Sequence, residues 1–200
     1  MRIITGAACC LLCLCIAVAS GRAPRQAEKP KSQKFSALAH LQSGAGRRMA
    51  GAGGTANVDL YINSYTSDEE AKALAGLLLD GGPQSLLKAL EKADSKGKIT
   101  LSGRVGFYDL KLIRSHQTAN GRRIIAVGDR PMGFLELYVG NQSTDYPFGI
   151  LTLDLKDKGK REEGEGALVY AAKVKVKEGN QIDIESYGVA PIRLMGVRQR

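Results

Sequence analysis

From Ile99 to the carboxyl terminus, apolar and polar residues alternate in short runs punctuated by turn residues, which restricts this part of the chain to antiparallel sheet. Two hairpins stand out. Leu168 to Lys177 and Ile182 to Val189 flank Glu178-Gly179-Asn180, and a three-residue loop there sets Val176 against Ile182 and Val174 against Ile184. The same register places Lys175 opposite Asp183 and Lys173 opposite Glu185, so apolar pairs share one side and ion pairs the other. A register one residue out sets Val176 against Asp183, which excludes it. The other hairpin joins Tyr108–Thr118 to Arg123–Val127 through Asn120-Gly121, the strongest short-range turn signal. With those two residues at the centre of the turn, Leu112 opposes Asp129, Arg114 opposes Val127 and His116 opposes Ile125. Phe148 to Leu155 reads as a further strand.

Upstream, Val58, Leu60 and Ile62 alternate with polar residues in another half-buried strand. Ser67 and Glu70 then match a capping box, and Leu74, Ala75, Leu78 and Leu79 recur at helical spacing until Gly81-Gly82. Pro83 suits the first turn of a second helix carrying Leu86, Leu87 and Leu90, ended by Gly97. The expected fold is therefore α+β: a curved antiparallel sheet or partial barrel, with an N-terminal two-helix hairpin packed on it.

The first 21 residues read as a signal peptide. Met1-Arg2 precede an apolar run that ends in Ala17-Val18-Ala19, a pattern suited to signal peptidase, and the run falls short of a membrane span. An exported protein, periplasmic or extracellular, is the expectation. Cys9, Cys10, Cys13 and Cys15 all lie inside this segment, so cleavage leaves no thiol for a disulfide, a metal or a nucleophile.

Residues 22–56 read as a basic disordered linker, rich in Ala, Gly, Lys, Arg, Ser and Gln, with at most a transient helical turn over Phe35–Leu41. They carry seven Lys and Arg against Glu28 alone, whereas residues 57–200, the single α+β domain, are close to neutral. Nucleic acid is thus an unexpected partner, since binders of that class concentrate charge on the folded face. The linker instead suits weak, salt-sensitive contact with an anionic envelope surface.

Few catalytic templates survive inspection. The domain holds one histidine, His116, with His40 in the linker, so a two-histidine zinc motif is impossible. No P-loop, dinucleotide fingerprint or nucleophile elbow is present, and no cofactor or metal is implied. The charged run Lys156–Gly166 lacks calcium-loop spacing and reads as a solvated loop. Paired carboxylates are defined by geometry rather than spacing, so a carboxylate hydrolase stays open. Polarity is misplaced at one point, where Arg114 and His116 share a face with Leu110, Leu112, Ile125 and Val127. An arginine among aliphatics needs a partner, and Asp129 lies on the diagonal. Arg114, His116 and Arg123, with Asp129, are the candidate ligand-binding residues.

Several blocks in order carry a resemblance: Tyr65-Thr66-Ser67-Asp68-x-Glu70, Leu86 to Lys92, Asn120 to Ile125, Asp129-Arg130-Pro131, Asp145-Tyr146-Pro147-Phe148 and Ile184 to Gly188. Over residues 58–198 the chain resembles a group of uncharacterised secreted bacterial proteins, seen especially in soil bacteria. The resemblance implies an exported bacterial protein and transfers no activity or site residue. The leading expectation is a secreted, non-enzymatic domain that binds a ligand or partner. Its alternatives are an extracytoplasmic hydrolase using carboxylates or His116, and an envelope assembly or accessory protein.

Overall fold

Alternation extends further toward the amino terminus than the expected domain boundary. A computed structural model describes residues 32–40, 55–102, 106–132, 145–157, 162–177, 181–187 and 190–200. The expected signal peptide and residues 22–31 and 41–54 of the expected linker lie outside the described residues. Within the linker assignment, Gln33–His40 is a β-strand (β1), paired with both β2, Thr55–Ile62, and β10, Ile192–Gln199. This corrects both the linker over 33–40 and the helical turn expected there. The reason is local weakness: Phe35 is the one large apolar residue that β1 buries, alongside Ala39, and alanine favours a helix as readily as an apolar interior. Neighbours decide the matter. Phe35 pairs with Leu60 and Ala37 with Val58, so β1 is held by the apolar residues that β2 sets beside it.

The remaining strands are β3 (Gly97–Leu101), β4 (Tyr108–Leu110), β5 (Leu112–Thr118), β6 (Gly121–Gly128), β7 (Phe148–Asp157), β8 (Glu162–Lys177) and β9 (Gln181–Ser186). All pairings are antiparallel, in the order β4-β3-β2-β1-β10-β8-β7-β6-β5, with β9 added to β8. Only Lys111 separates β4 from β5, and its N–H donates to the Val127 carbonyl at 2.9 Å, so the two ends of the sheet meet in a nearly closed barrel. Buried Thr66 seals the seam. Its N–H donates to the Ile113 carbonyl at 2.8 Å, and its hydroxyl oxygen accepts from the Ile113 N–H at 2.9 Å.

Inward residues fill the barrel: Phe35, Leu60, Ile62, Ile99, Ile113, Ile124, Leu151, Leu153, Leu168 and Val197 are all buried in one cluster. A second cluster lies outside, between the sheet and the helix. One helix, α1 (Asp68–Lys92), places Leu74, Leu78, Leu86 and Leu90 against Phe148, Ile150, Ala172 and Val174. Each fully buried leucine contributes about 1.5–3 kcal/mol. Ser67 caps the helix, accepting from the Glu70 N–H at 3.1 Å, as the capping box predicts.

The two-helix hairpin is corrected. Gly82 breaks the helix at φ 71°, just before Pro83, yet the leucines on both sides of the break face the same sheet layer. A hairpin would bury the two leucine stripes on each other. Here the leucines of both segments pack instead on the outer aliphatic face of β7 and β8. Nor is α1 N-terminal, since β1 and β2 precede it.

Both expected strand hairpins are present. The second has the expected register, Val176 to Ile182 and Val174 to Ile184. The first is shifted: Thr118 pairs with Gly121, so Ala119-Asn120 form the turn, and Arg114 faces Ile125 rather than Val127. Gly121 enters the strand at φ 147°, and a Cβ there would lie 2.1 Å from the Leu155 carbonyl oxygen. The glycine is therefore needed as the first strand residue and is not free to centre the turn.

Candidate functional site

The four residues singled out from sequence go to separate partners. Arg114 stands on the outer face of β5, opposite in sense to buried Ile113, and reaches the start of α1. Its Nη1 donates to the Thr66 carbonyl at 2.8 Å and its Nη2 to Asp68 Oδ1 at 2.5 Å. The expected Arg114–Asp129 pair is thus replaced by Arg114–Asp68, because the register moves Arg114 away from Asp129 and the helix start supplies a nearer carboxylate. Asp129 lies 3.9 Å from the Lys111 ammonium, and its buried Oδ1 accepts no hydrogen bond among the described residues. Arg123 forms a bidentate pair with Asp154 on β7, Nε to Oδ1 at 2.5 Å and Nη2 to Oδ2 at 3.1 Å. His116 is exposed, with Arg123 as its cross-strand neighbour. The strip does not converge.

Arg114 holds the Asp68 carboxyl below its ordinary value, first by hydrogen bonding and then by charge. A depressed carboxyl stabilises the fold above that value, near 3.8, and the contribution fades as pH falls through the folded-state value. An Arg114→Leu variant should therefore melt below wild type at about pH 6, with the gap narrowing toward about pH 3. Thermal unfolding across that range checks it; a constant gap would mean that Arg114 acts through packing alone.

A polar cluster closes one end of the barrel. Arg122 on β6 lies on the inward side, in phase with Ile124. Its Nε and Nη2 donate to the two Glu162 oxygens at 2.7 and 2.5 Å, Nη1 donates to the Tyr65 hydroxyl at 2.9 Å, and Nη2 also reaches Gln33 Oε1 at 3.0 Å. The Tyr65 hydroxyl in turn donates to Gln33 at 2.8 Å, and the guanidinium lies 5.9 Å from the Phe35 ring centroid. Burial pushes the Tyr65 phenol up. Burial, the largest single influence, would lower Arg122, but the hydrogen bonds and charges of Glu162 and Tyr65 together outweigh it and hold the guanidinium above its ordinary value. Every group here is engaged by another, so the cluster ties β1, β6, β8 and the β2–α1 link together.

An open groove of about 590 Å³ lies on the outer face of β2, β1 and β10. Its shape comes from a bulge in β10. Gly196-Val197 stand against the single residue Ala37 on β1, Met195-Gly196 against the single residue Glu165 on β8, and Gly196 takes φ 59°. Such a bulge bends the strand and re-aims its side chains. Leu38 and Met195 line the groove with apolar surface, while Lys34, Arg198 and Arg200 bring positive charge. Asp59 joins the cations: it accepts from Ser36 Oγ at 2.6 Å and pairs with Lys34 Nζ at 3.1 Å, and Arg200 Nε reaches Ser36 Oγ at 3.3 Å. Burial pushes the Asp59 carboxyl up, but Ser36 and Lys34 together hold it below its ordinary value. Lys34 is held above its ordinary value by hydrogen bonding to Tyr61 and then to Asp59, so it stays an ammonium. The Arg198–Glu163 pair is longer, 3.5 Å, and Arg198 is 65 % exposed.

Sequence reasoning misses this groove. Lys34, Ser36 and Leu38 fall in the expected linker, and Arg198 and Arg200 look like ordinary surface residues. The available signal is Ile192 and Leu194 alternating with Arg193, with one extra residue before Val197, matched by the weaker alternation around Phe35. No family model, no curated protein and no solved structure matches the chain.

Proposed function

We propose that the chain is an exported, non-enzymatic binding domain whose outer groove receives a small amphipathic anion. The groove itself carries this reading, because it joins an apolar lining to three cationic side chains. Its size suits a small ligand, since such sites run to about 300–1,000 Å³. Arg198 is the cation most easily recruited: an exposed pair such as Arg198–Glu163 is worth little and is readily exchanged for a ligand carboxylate, sulfate or phosphate. Leu38 and Met195 would cover the apolar body of the ligand. The other polar clusters are engaged internally, and Arg123, the cross-strand neighbour of His116, is already held by Asp154.

Calorimetry with octanoate, octyl sulfate and inorganic phosphate tests the reading on residues 22–200. Octanoate and octyl sulfate should bind saturably and phosphate more weakly, since it lacks the apolar body. Lys34→Gln and Arg198→Gln should each weaken binding by about tenfold, the worth of one charge-assisted hydrogen bond. Arg114→Gln should leave binding unchanged. Absence of saturable binding, or binding indifferent to both groove variants, overturns the proposal.

A further inference from the structure

Cationic side chains gather on the outer face of β10, β1, β2 and β3, and the groove occupies only part of that face. On β10, Arg193 points away from buried Leu194 and stands opposite His40 of β1. Arg198 and Arg200 follow it beyond the bulge, and all three arginines are exposed. Lys34 of β1 and Lys98 of β3 stand on either side of Tyr61 on β2. Asp59 is the single carboxylate that these four strands carry. Carboxylates return on the flanking strands, Glu163 of β8 beside Arg198 and Asp109 of β4 beside Lys98. The basic patch is therefore three strand spacings wide, about 14 Å.

Apolar surface lies within it. Leu38 and Met195 are cross-strand neighbours between Arg193 and Arg198, and they are 37 % and 40 % exposed. A soluble polyanion answers the cations but leaves that pair in water. Single-stranded nucleic acid also needs open aromatic faces on which its bases can stack. The Tyr61 ring instead has the Lys34 and Lys98 ammonium groups over it, 5.0 and 5.3 Å from its centroid. An anionic bilayer supplies both halves, with negative headgroups above and hydrocarbon just beneath. The sequence on either side of β1 adds to the charge. Arg22, Arg25, Lys29 and Lys31 precede it against Glu28, and Arg47 and Arg48 follow it.

We infer that this face docks on an anionic phospholipid bilayer, its Lys and Arg side chains on the headgroups and Leu38 and Met195 toward the acyl region. The docking rests on the groove reading: one lipid supplies the amphipathic anion that the groove receives. Arg193 and Lys98 lie outside the groove lining and meet neighbouring headgroups.

Co-sedimentation of residues 22–200 with vesicles tests this, using phosphatidylcholine alone and phosphatidylcholine with about one quarter phosphatidylglycerol. The protein should pellet with the anionic vesicles, remain in solution with the neutral ones, and be released by salt. Lys98→Gln with Arg193→Gln should weaken vesicle binding about twenty-fold, at about fivefold for each cation, and leave octanoate binding unchanged. Leu38→Ser with Met195→Ser should weaken both, with a thermal midpoint near that of the wild type. Lys88→Gln, which removes a charge from α1, should alter neither. Octanoate binding with no preference for anionic vesicles overturns the docking and leaves the groove reading standing. Failure of octanoate binding overturns the two together. Undiminished vesicle binding by Lys98→Gln/Arg193→Gln also sinks the docking, by assigning the contact to basic residues outside these strands. So does tighter binding of dextran sulfate or a single-stranded oligonucleotide that Leu38→Ser/Met195→Ser leaves intact.

Discussion

A chain beginning at Asn57 will not unfold cooperatively, whereas one beginning at Arg22 will melt in a single transition. The cut removes β1 from between β2 and β10 and trims the start of β2. Three losses coincide. The ladders on both sides of β1 disappear, leaving the facing backbone groups of β2 and β10 without partners. The Phe35 ring, 1 % exposed in the intact barrel, vanishes from the core; a buried phenylalanine reduced to alanine alone costs about 3–5 kcal/mol. The opened seam also wets Leu60, Val58, Leu194 and Val197. Against a total stability of about 5–15 kcal/mol for ordinary domains, this sum is decisive. Circular dichroism during urea and thermal unfolding reads the difference. Matching midpoints for the two chains would mean that β1 contributes nothing to the barrel.

Replacing Arg122 with methionine is expected to cost about 2–3 kcal/mol. Breaking a fully buried pair by removing one partner costs about 3–5 kcal/mol, and the value is reduced here because the Arg122 and Glu162 side chains keep 14 % and 21 % of their exposure. The penalty arises from what is left behind. The Glu162 carboxylate loses both donors, the Tyr65 hydroxyl loses one, and Gln33 Oε1 keeps only Tyr65. The double variant Arg122→Met/Glu162→Met should recover part of the loss, since it strands no charge at the barrel mouth. Urea midpoints for the wild type, the two single variants and the double variant complete the cycle. Additive losses would show that the two side chains act independently.

How far the fold was readable depends on how many local signals agreed. In the β8–β9 hairpin, loop length, apolar alternation and charge pairing all point to one register, and that register is found. In the β5–β6 hairpin the Asn-Gly signal locates the turn but not its centre. Gly121 is drawn into the strand by the close approach of Leu155, and the pairing moves by two positions. A shift of two preserves the faces, so Arg114 and His116 stay on the side expected of them while their cross-strand neighbours change. The leucines of α1 were recognisable as core, but Gly81-Gly82-Pro83 indicates only a break. Whether the chain turns back there depends on the apolar layer that waits for Leu86 and Leu90.

The candidate site was the least readable element. Its lining comes from β1, β2 and β10, with Lys34 and Arg198 at opposite ends of the chain. By itself, the sequence determined the antiparallel class, the faces of β2 and β7, the second hairpin and the helix cap, because each follows from backbone preference or side-chain period within about ten residues. Tertiary structure alone decided the inclusion of β1, the path of α1 after Gly82, the partner of Arg114 and the groove. Those outcomes rest on burial and charge contacts between distant segments. An alanine-rich strand or a lone arginine has no strong local preference, so the nearly closed barrel supplies the choice.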